Sequence, residues 1–160
     1  YNNANEIMLN GKLVSTEIRK KDITSSVSAV SALFEVREFL VKIQRKLGNE
    51  IDCVIEGRDI GSVVFPNADF KFFLTADLDV RSMRRKNELK KLGEDLSIDE
   101  IKASMRKRDL IDSSREFSPL KRSKDSIEID STDLTIDEQI EKIIKIIKTN
   151  KKGTSKHVWK

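Results

Sequence analysis

Residues 51–66 carry the strongest local pattern of the chain: Ile51-Asp52-Cys53-Val54-Ile55-Glu56-Gly57-Arg58-Asp59-Ile60-Gly61-Ser62-Val63-Val64-Phe65-Pro66. The β-branched run before Gly57 is typical of a buried strand in a parallel sheet. Arg58 and Asp59 would then lie at the carboxyl edge of that sheet, where open α/β sheets bind their ligands. A guanidinium grips a phosphate in a planar fork, and a carboxylate accepts hydrogen bonds from base or sugar donors. The alternative is an exposed turn with two solvated charges.

The composition describes a globular chain. Its 160 residues are 38% hydrophobic and 36% charged, which allows one domain or the larger part of a two-lobed one. No apolar run is as long as a membrane span and no signal-peptide pattern opens the chain, so we expect a cytoplasmic protein. The single cysteine, Cys53, is expected to be buried. With one histidine, His157, the chain can form neither a zinc site nor a histidine-based triad.

The basic residues are concentrated in two segments, although the formal net charge is only +4. Such a concentration indicates an anionic partner, either a nucleic acid or a polyphosphate such as ATP. Composition alone leaves both open. The residues are Arg81, Arg84, Arg85, Lys86, Lys90 and Lys91, followed by Arg106, Lys107, Arg108, Arg115, Lys121 and Arg122.

The first part of the chain predicts a hairpin and a long helix. Apolar and polar residues alternate on either side of Asn10-Gly11, the favoured two-residue hairpin turn. Apolar residues then recur at helical spacing over residues 25–47, and Gly48 is expected to end that helix.

The second part alternates strands and helices. We expect strands at residues 70–74 and 126–130, a helix over 78–92 between Asp77 and Gly93, and a surface loop over 109–126 that carries Asp112, Arg115 and Pro119. A capping box at residues 97–100 begins a helix that runs through residue 108. A second capping box at residues 135–138 begins the last helix, which carries a stripe of isoleucines. This order predicts an α/β fold, a parallel sheet flanked by helices.

The whole pattern resembles one family, the bacterial cytidylate kinases. Residues 56–68 resemble the family signature Gly-Arg-Asp-(Met/Ile)-Gly-(Thr/Ser)-Val-Val-Phe-Pro-(Asp/Asn)-Ala. Further similar segments follow in the same order: Lys71-Phe72-Phe73-Leu74-Thr75-Ala76, Arg84-Arg85, Arg108-Asp109 to Arg115, Ser118-Pro119-Leu120 and Ile129-Asp130-Ser131-Thr132. The resemblance implies the P-loop-kinase-like fold of nucleoside monophosphate kinases. It also implies transfer of the γ-phosphoryl group of ATP, with Mg²⁺, to CMP or dCMP, by a monomer with no nucleic-acid or membrane partner.

The resemblance also implies roles for individual residues. Ser28, Arg37 and Asp59 match positions that read the cytosine. Arg58 and Arg115 match arginines on the nucleotide phosphate, and Arg108 and Asp112 match positions on the sugar and phosphate. Arg84 and Arg85 fall in the family's lid, where arginines close over the ATP phosphates, so Arg84, Arg85 and Arg115 are the expected catalytic residues.

One feature of the family is not found in the sequence. The phosphate-cradling loop Gly-x-x-x-x-Gly-Lys-(Ser/Thr) is absent, since Gly11-Lys12 has Glu6 and Leu13 at the positions of the first glycine and the hydroxyl. The match begins within the family's nucleotide-binding insert, which predicts an N-terminally truncated chain that is weakly active or inactive alone. The expected parts are residues 1–24 (insert hairpin), 25–148 (kinase core with a lid at about 80–95) and 149–160 (basic tail).

Ile111 and Ser113 stand where some relatives carry further arginines, which reduces the expected number of phosphate contacts. Two other functions stay open: a basic nucleic-acid-binding module and a nucleoside monophosphate kinase with another base preference. The first would need stacking aromatic residues among the basic ones, and the segment 81–91 has none.

Overall fold

The computed structural model describes residues 6–91 and 93–150, apart from the side chains of Lys21 and Ser28. His157 and most of the predicted basic tail lie outside the described residues. The chain separates into two compact units, Tyr1–Asp59 with Arg108–Leu120, and Ile60–Lys107 with Lys121–Lys160. The boundaries of these two units reflect contacts between residues and do not test the predicted division into insert, core and tail. That division stays a prediction.

The first unit begins with the predicted hairpin. Strands β1 (Met8–Leu9) and β2 (Lys12–Leu13) pair antiparallel around Asn10 and Gly11, whose φ angles are 50° and 77°. Positive φ at both central residues is the geometry for which Asn-Gly is favoured, because it matches the twist of the strands. The hairpin prediction is confirmed, and Lys12 is a strand residue rather than part of a phosphate-binding loop.

Two helices follow where the sequence predicted one. Helix α1 covers Lys21–Ser31 and α2 covers Phe34–Glu50, and Leu33 between them is extended with ψ of 129°. Next to the break, the ring of Phe34 contacts the ring of Phe117, with 4.8 Å between the ring centroids. The periodicity of the sequence cannot reveal this contact. Gly48 does not end the helix, because an interior glycine costs only about 1 kcal/mol and is tolerated. Both predictions were wrong.

The predicted strand before Gly57 is absent. Residues 51–56 form no strand, and the side chains of Ile51, Cys53 and Val54 are exposed, Val54 completely. A strand exists only where a neighbour satisfies its backbone groups, and no strand within residues 6–91 and 93–150 pairs with this segment. The predicted burial of Cys53 fails for the same reason.

The second unit is built on a parallel strand pair. Strands β3 (Phe72–Thr75) and β4 (Ile127–Asp130) pair from Phe72 opposite Ile127 to Thr75 opposite Asp130. Ile129 is fully buried. A parallel pair needs a long crossover connection, which here contains two helices, so the predicted α/β class is confirmed.

The ends of helix α3 (Leu78–Lys91) follow local chemistry. Its start is capped by Asp77, whose Oδ1 accepts the backbone N–H of Asp79 at 2.7 Å. At its end Gly93 has a φ of 81° and donates to the Lys90 carbonyl at 3.1 Å, while Glu94 donates to the Leu89 carbonyl at 3.0 Å. This is a Schellman ending, which requires the left-handed conformation that glycine adopts without strain.

Helix α4 (Ile98–Ser114) begins as predicted and ends later than predicted. In its capping box Glu100 donates its backbone N–H to Ser97 Oγ at 3.2 Å, and Ser97 donates its own to Glu100 Oε2 at 2.9 Å. The predicted loop over residues 109–126 is wrong up to Ser114. Asp112, which looked like a loop residue, lies within the helix, where it is buried and pairs with Arg58, a distant partner that local composition does not reveal.

Helix α5 (Ile136–Asn150) carries the predicted isoleucine stripe and capping box. Thr135 Oγ1 accepts the backbone N–H of Glu138 at 3.3 Å, and Glu138 accepts both donors of Thr135 at 2.8 Å. The stripe keeps part of its area in solvent, with Ile140 48% exposed. Within the described ranges 6–91 and 93–150, no helix is long and apolar enough to cross a membrane.

We expect Thr135→Ala to lower the free energy of unfolding by about 1 kcal/mol at pH 7, as loss of an N-cap does. The backbone N–H of Thr135 and, after it, the hydroxyl of Thr135 hold the pKa of Glu138 below its ordinary value of 4.5, and the variant removes only the hydroxyl bond. The contribution of that bond is present above pH 4.5 and is lost as the pH falls through the lower pKa of the folded state. Urea unfolding should show the difference between parent and variant shrinking on acidification. The control is Thr149→Ala, which removes only a bond to the Lys145 carbonyl at the other end of the helix; an equal loss there would contradict the capping role.

Candidate functional site

Arg37 and Asp59 form a buried ion pair in the first unit. Arg37 lies in the first part of α2, where its backbone N–H bonds to the Leu33 carbonyl at 2.9 Å, and Asp59 follows the exposed segment 51–56. The side chain of Arg37 is 12% exposed and that of Asp59 is 2% exposed. Arg37 Nε is buried and has no hydrogen-bond partner within the described part of the chain. The pair thus presents an acceptor and an unused donor side by side.

Asp112 is shared by three arginines of the same unit. Its Oδ2 accepts from Arg58 Nε at 2.9 Å and lies 3.7 Å from Arg108 Nε, and its Oδ1 lies 4.0 Å from Arg115 Nη1. Asp112 is buried, whereas Arg58 and Arg108 are about half exposed. Helix α4 makes this possible, because residues 108 and 112 lie one turn apart on the same face. One buried carboxylate therefore contacts three cations, of which Arg58 and Arg108 reach solvent and Arg115 is buried.

Arg115 is the innermost of these cations. Its side chain is 5% exposed, its Nε donates to the Ser118 carbonyl at 2.6 Å, and its buried Nη2 has no hydrogen-bond partner among the described residues. Burial lowers the pKa of Arg115, and the charge of Arg37 lowers it further, while Asp59 and Asp112 act against this. The pKa of Arg115 thus responds to the charges of Arg37, Asp59 and Asp112.

The cluster carries more positive than negative charge. Its four guanidinium groups and two carboxylates leave a net charge of +2. Buried polar groups are normally paired, so the unused donors of Arg37 and Arg115 indicate a ligand that accepts hydrogen bonds. A phosphate monoester dianion has the matching charge and the acceptor oxygens that guanidinium groups bind in pairs. We call these six residues, Arg37, Arg58, Asp59, Arg108, Asp112 and Arg115, the arginine cluster.

The comparisons with known proteins agree with this chemistry. Residues 1–149 match the family model described as cytidylate kinase. The chain belongs to the cytidylate kinase family. It is 48% identical over 147 residues to a cytidylate kinase of Caldanaerobacter subterraneus subsp. tengcongensis and 46% identical over 149 residues to one of Clostridium tetani. These matches cover 92% and 93% of this chain and 66% of each relative.

A third similar protein is named bifunctional pantoate ligase/cytidylate kinase, from Prochlorococcus marinus subsp. pastoris. It is 46% identical over 146 residues, which cover 91% of this chain and 29% of that protein. The chain spans 66% of the length of each of the two cytidylate kinases named above. The P-loop-kinase-like fold predicted from the sequence is the fold of this family.

The structure brings together six of the nine predicted site residues. Of the others, Ser28 lies in α1 and its side chain is outside the described part of the structure. Arg84 donates to the carbonyls of Ser131 at 2.6 Å and Leu134 at 3.0 Å, and Arg85 pairs with Glu88 at 2.7 Å. Both arginines belong to the second unit, and their lid role stays a prediction.

The side chains that the structure describes do not form a protein cage for Mg²⁺. Among residues 6–91 and 93–150 there is no group of three or more His, Cys, Asp or Glu side chains placed to hold a metal ion. The two carboxylates of the arginine cluster are already occupied by guanidinium groups.

Reasoning from the sequence missed Ser118, whose carbonyl holds Arg115 Nε. The sequence marked this residue only within the family-like segment Ser118-Pro119-Leu120, whose Ser-Pro dipeptide indicates a turn without saying what the turn does.

Proposed function

We propose that the chain binds CMP or dCMP through the arginine cluster, as the acceptor-nucleotide site of a cytidylate kinase. In the proposed reaction the γ-phosphoryl group of ATP passes to the acceptor, giving CDP or dCDP and ADP. The observation that carries the proposal is the set of four arginines arranged around two buried carboxylates, in a chain of this family. A cytoplasmic monomer remains the expected form.

Arg58 and Arg115 are proposed to bind the phosphate of the acceptor. Arg58 is tied to Asp112 through Nε, which leaves its two Nη groups for a ligand. Arg115 is tied to Ser118 through Nε and has the unused donor Nη2. A guanidinium held at Nε keeps a fixed plane, so it can offer its remaining N–H groups to phosphate oxygens without ordering itself first.

Asp59 and Arg37 are proposed to read the base, together with Ser28. Cytosine carries an exocyclic amino donor, and its O2 and N3 atoms accept hydrogen bonds. Carboxylates are the usual partners of that amino group. Uracil has a carbonyl oxygen at the same position, which would face the carboxylate of Asp59 and be repelled. Arg108 and Asp112, one turn apart on the same face of α4, are proposed to contact the sugar and the phosphate.

The reaction itself needs little from the protein beyond positioning and charge. Phosphoryl transfer spreads negative charge over the equatorial oxygens of the moving group, and nearby guanidinium groups stabilise that charge. Arg115 is proposed to contact the acceptor phosphate during transfer, and Arg84 and Arg85 of α3 to act on the side of ATP. Arg85 is the more available of these two, because its described partner is the exposed Glu88, whereas Arg84 is bound by backbone carbonyls.

A thermal-shift experiment on the 160-residue chain tests the proposed acceptor. A ligand that binds only the folded state stabilises it by about 2.7 kcal/mol at 100 times its dissociation constant, which is about 5–10 °C for a chain of this size. We expect CMP and dCMP to raise the melting temperature more than UMP or AMP at equal concentration.

Matched variants locate the site. Arg58→Met should remove most of the shift with CMP, because it deletes a proposed phosphate contact. Arg122→Met is the control, since Arg122 is equally exposed and also paired with one carboxylate, Glu128. A larger shift with UMP or AMP would point to another base preference. Salt-sensitive binding of an oligonucleotide without any response to CMP would favour a nucleic-acid-binding module and overturn the proposal.

A further inference from the structure

A short turn after α4 holds the innermost arginine of the cluster. Residues 115–120 are closed at both ends: Arg115 donates its backbone N–H to the Ile111 carbonyl at 3.1 Å, and Leu120 donates to the Asp112 carbonyl at 2.7 Å. Inside the turn, the Ser118 carbonyl accepts Arg115 Nε at 2.6 Å. The turn therefore folds back on the last turn of α4 and on the side chain that leaves it.

The backbone of Ser118 is in an unusual conformation for its residue type. Its φ is 52°, and the only other non-glycine residue with positive φ in the described part of the chain is Asn10 of the hairpin turn. Asparagine is favoured in that region, whereas serine gains no such preference. Strained residues of this kind persist where the surroundings fix them, and they occur preferentially at binding sites.

The turn is also tied to the helix that carries Arg37. The rings of Phe117 and Phe34 lie 4.8 Å apart and are tilted by 56°, and Phe34 lies one turn before Arg37 on α2. This arrangement is favourable for aromatic rings. The contact connects the segment that directs Arg115 to the helix that directs Arg37.

We propose that Ser118 is a positioning residue: its left-handed backbone directs its carbonyl at Arg115 Nε, which fixes the guanidinium plane so that the buried Nη2 faces the acceptor phosphate. This inference rests on the proposed function and deepens it. The carbonyl, not the hydroxyl, does the positioning, so the residue type matters only through the backbone conformation it allows. Glycine should serve as well as serine, and a β-branched residue should not.

The test compares CMP with cytidine, which has the same base and sugar but no phosphate. By isothermal titration calorimetry on the 160-residue chain, we expect Ser118→Val to weaken CMP binding about tenfold while cytidine binding changes less than about twofold, since β-branched residues are strongly disfavoured at positive φ. Ser118→Gly should keep both affinities within about twofold of the parent. Ser123→Val is the matched control, because Ser123 is a half-buried serine of the next turn without positive φ, and it should change neither.

Double variants distinguish an effect of Ser118 through Arg115 from a general loss of structure. In an Arg115→Met background, Ser118→Val should cause no further loss of CMP affinity, whereas in an Arg122→Met background it should cause the full tenfold loss. Equal weakening of CMP and cytidine, or an additive loss in the Arg115→Met background, would overturn the role of Ser118. Failure of the parent chain to bind CMP would instead contradict the proposed function itself, so the two failures are distinguishable.

Discussion

Replacing Arg37 by methionine should lower the free energy of unfolding by about 3 kcal/mol, the cost of removing one partner of a buried ion pair. Asp59 is 2% exposed in the parent protein, and the variant removes the guanidinium group that it pairs with. CMP binding should also be lost, because the variant removes a proposed base contact. Urea unfolding followed by circular dichroism measures the first effect, and calorimetry measures the second.

A double variant distinguishes charge pairing from packing at this position. Arg37→Met combined with Asp59→Leu fills the same space with apolar groups, which is often neutral for stability. We therefore expect it to recover most of the lost stability, to within about 1 kcal/mol of the parent, without recovering CMP binding. The control Lys42→Met removes the exposed pair with Glu38 and should cost less than about 0.5 kcal/mol. If the double variant were no more stable than Arg37→Met, the unpaired charge of Asp59 would not be the cause of the lost stability.

The second large effect is expected at Asp112, the carboxylate common to three arginines. Asp112→Asn keeps the shape of the side chain and removes the charge, so Arg58, Arg108 and Arg115 lose their shared anion and repel one another. We expect a loss of about 2–3 kcal/mol of stability, below the value for a fully buried pair because Arg58 and Arg108 are half exposed. The CMP dissociation constant should rise by about 100-fold, since several proposed contacts lose their orientation at once.

The dependence of stability on salt concentration tests whether charge repulsion destabilises Asp112→Asn. Repulsion between partly exposed cations is screened as ionic strength rises. The difference in stability between the parent and Asp112→Asn should therefore narrow between about 0.05 and 0.5 M salt, a range over which the Debye length falls from above about 10 Å to below about 8 Å. Asp79→Asn is the matched control, because exposed Asp79 pairs with a single cation, Lys102, at 2.8 Å. A gap that does not change with salt would indicate lost hydrogen bonding rather than lost charge.

The sequence predicted well those features that short-range chemistry determines. The Asn10-Gly11 turn, the Gly93 helix ending and the capping boxes at Ser97 and Thr135 each depend on groups within a few residues of one another. It failed where distant groups decide the local structure. The segment around Val54 has the composition of a strand and forms none, because pairing requires a neighbour that composition cannot supply.

The candidate site shows the same division. The types of its residues came from the resemblance to the family, and their convergence is seen only in three dimensions, because Asp112 looked like a loop residue until helix α4 was found to reach Ser114. No local signal marks Asp112 as the partner of Arg58, which lies 54 residues away. The carbonyl of Ser118 was missed because backbone groups contribute nothing to a residue-type pattern.

The surplus positive charge of the arginine cluster has a practical consequence for handling the protein. Sulfate is a dianion like the proposed acceptor group, and inorganic phosphate is partly a dianion at neutral pH. Any anion that binds the folded state stabilises it by mass action. Storage in phosphate buffer should thus lengthen shelf life and at the same time make CMP look like a weaker ligand, because the nucleotide must first displace the buffer ion. Titrations in a buffer of monovalent anions would report the nucleotide's own affinity.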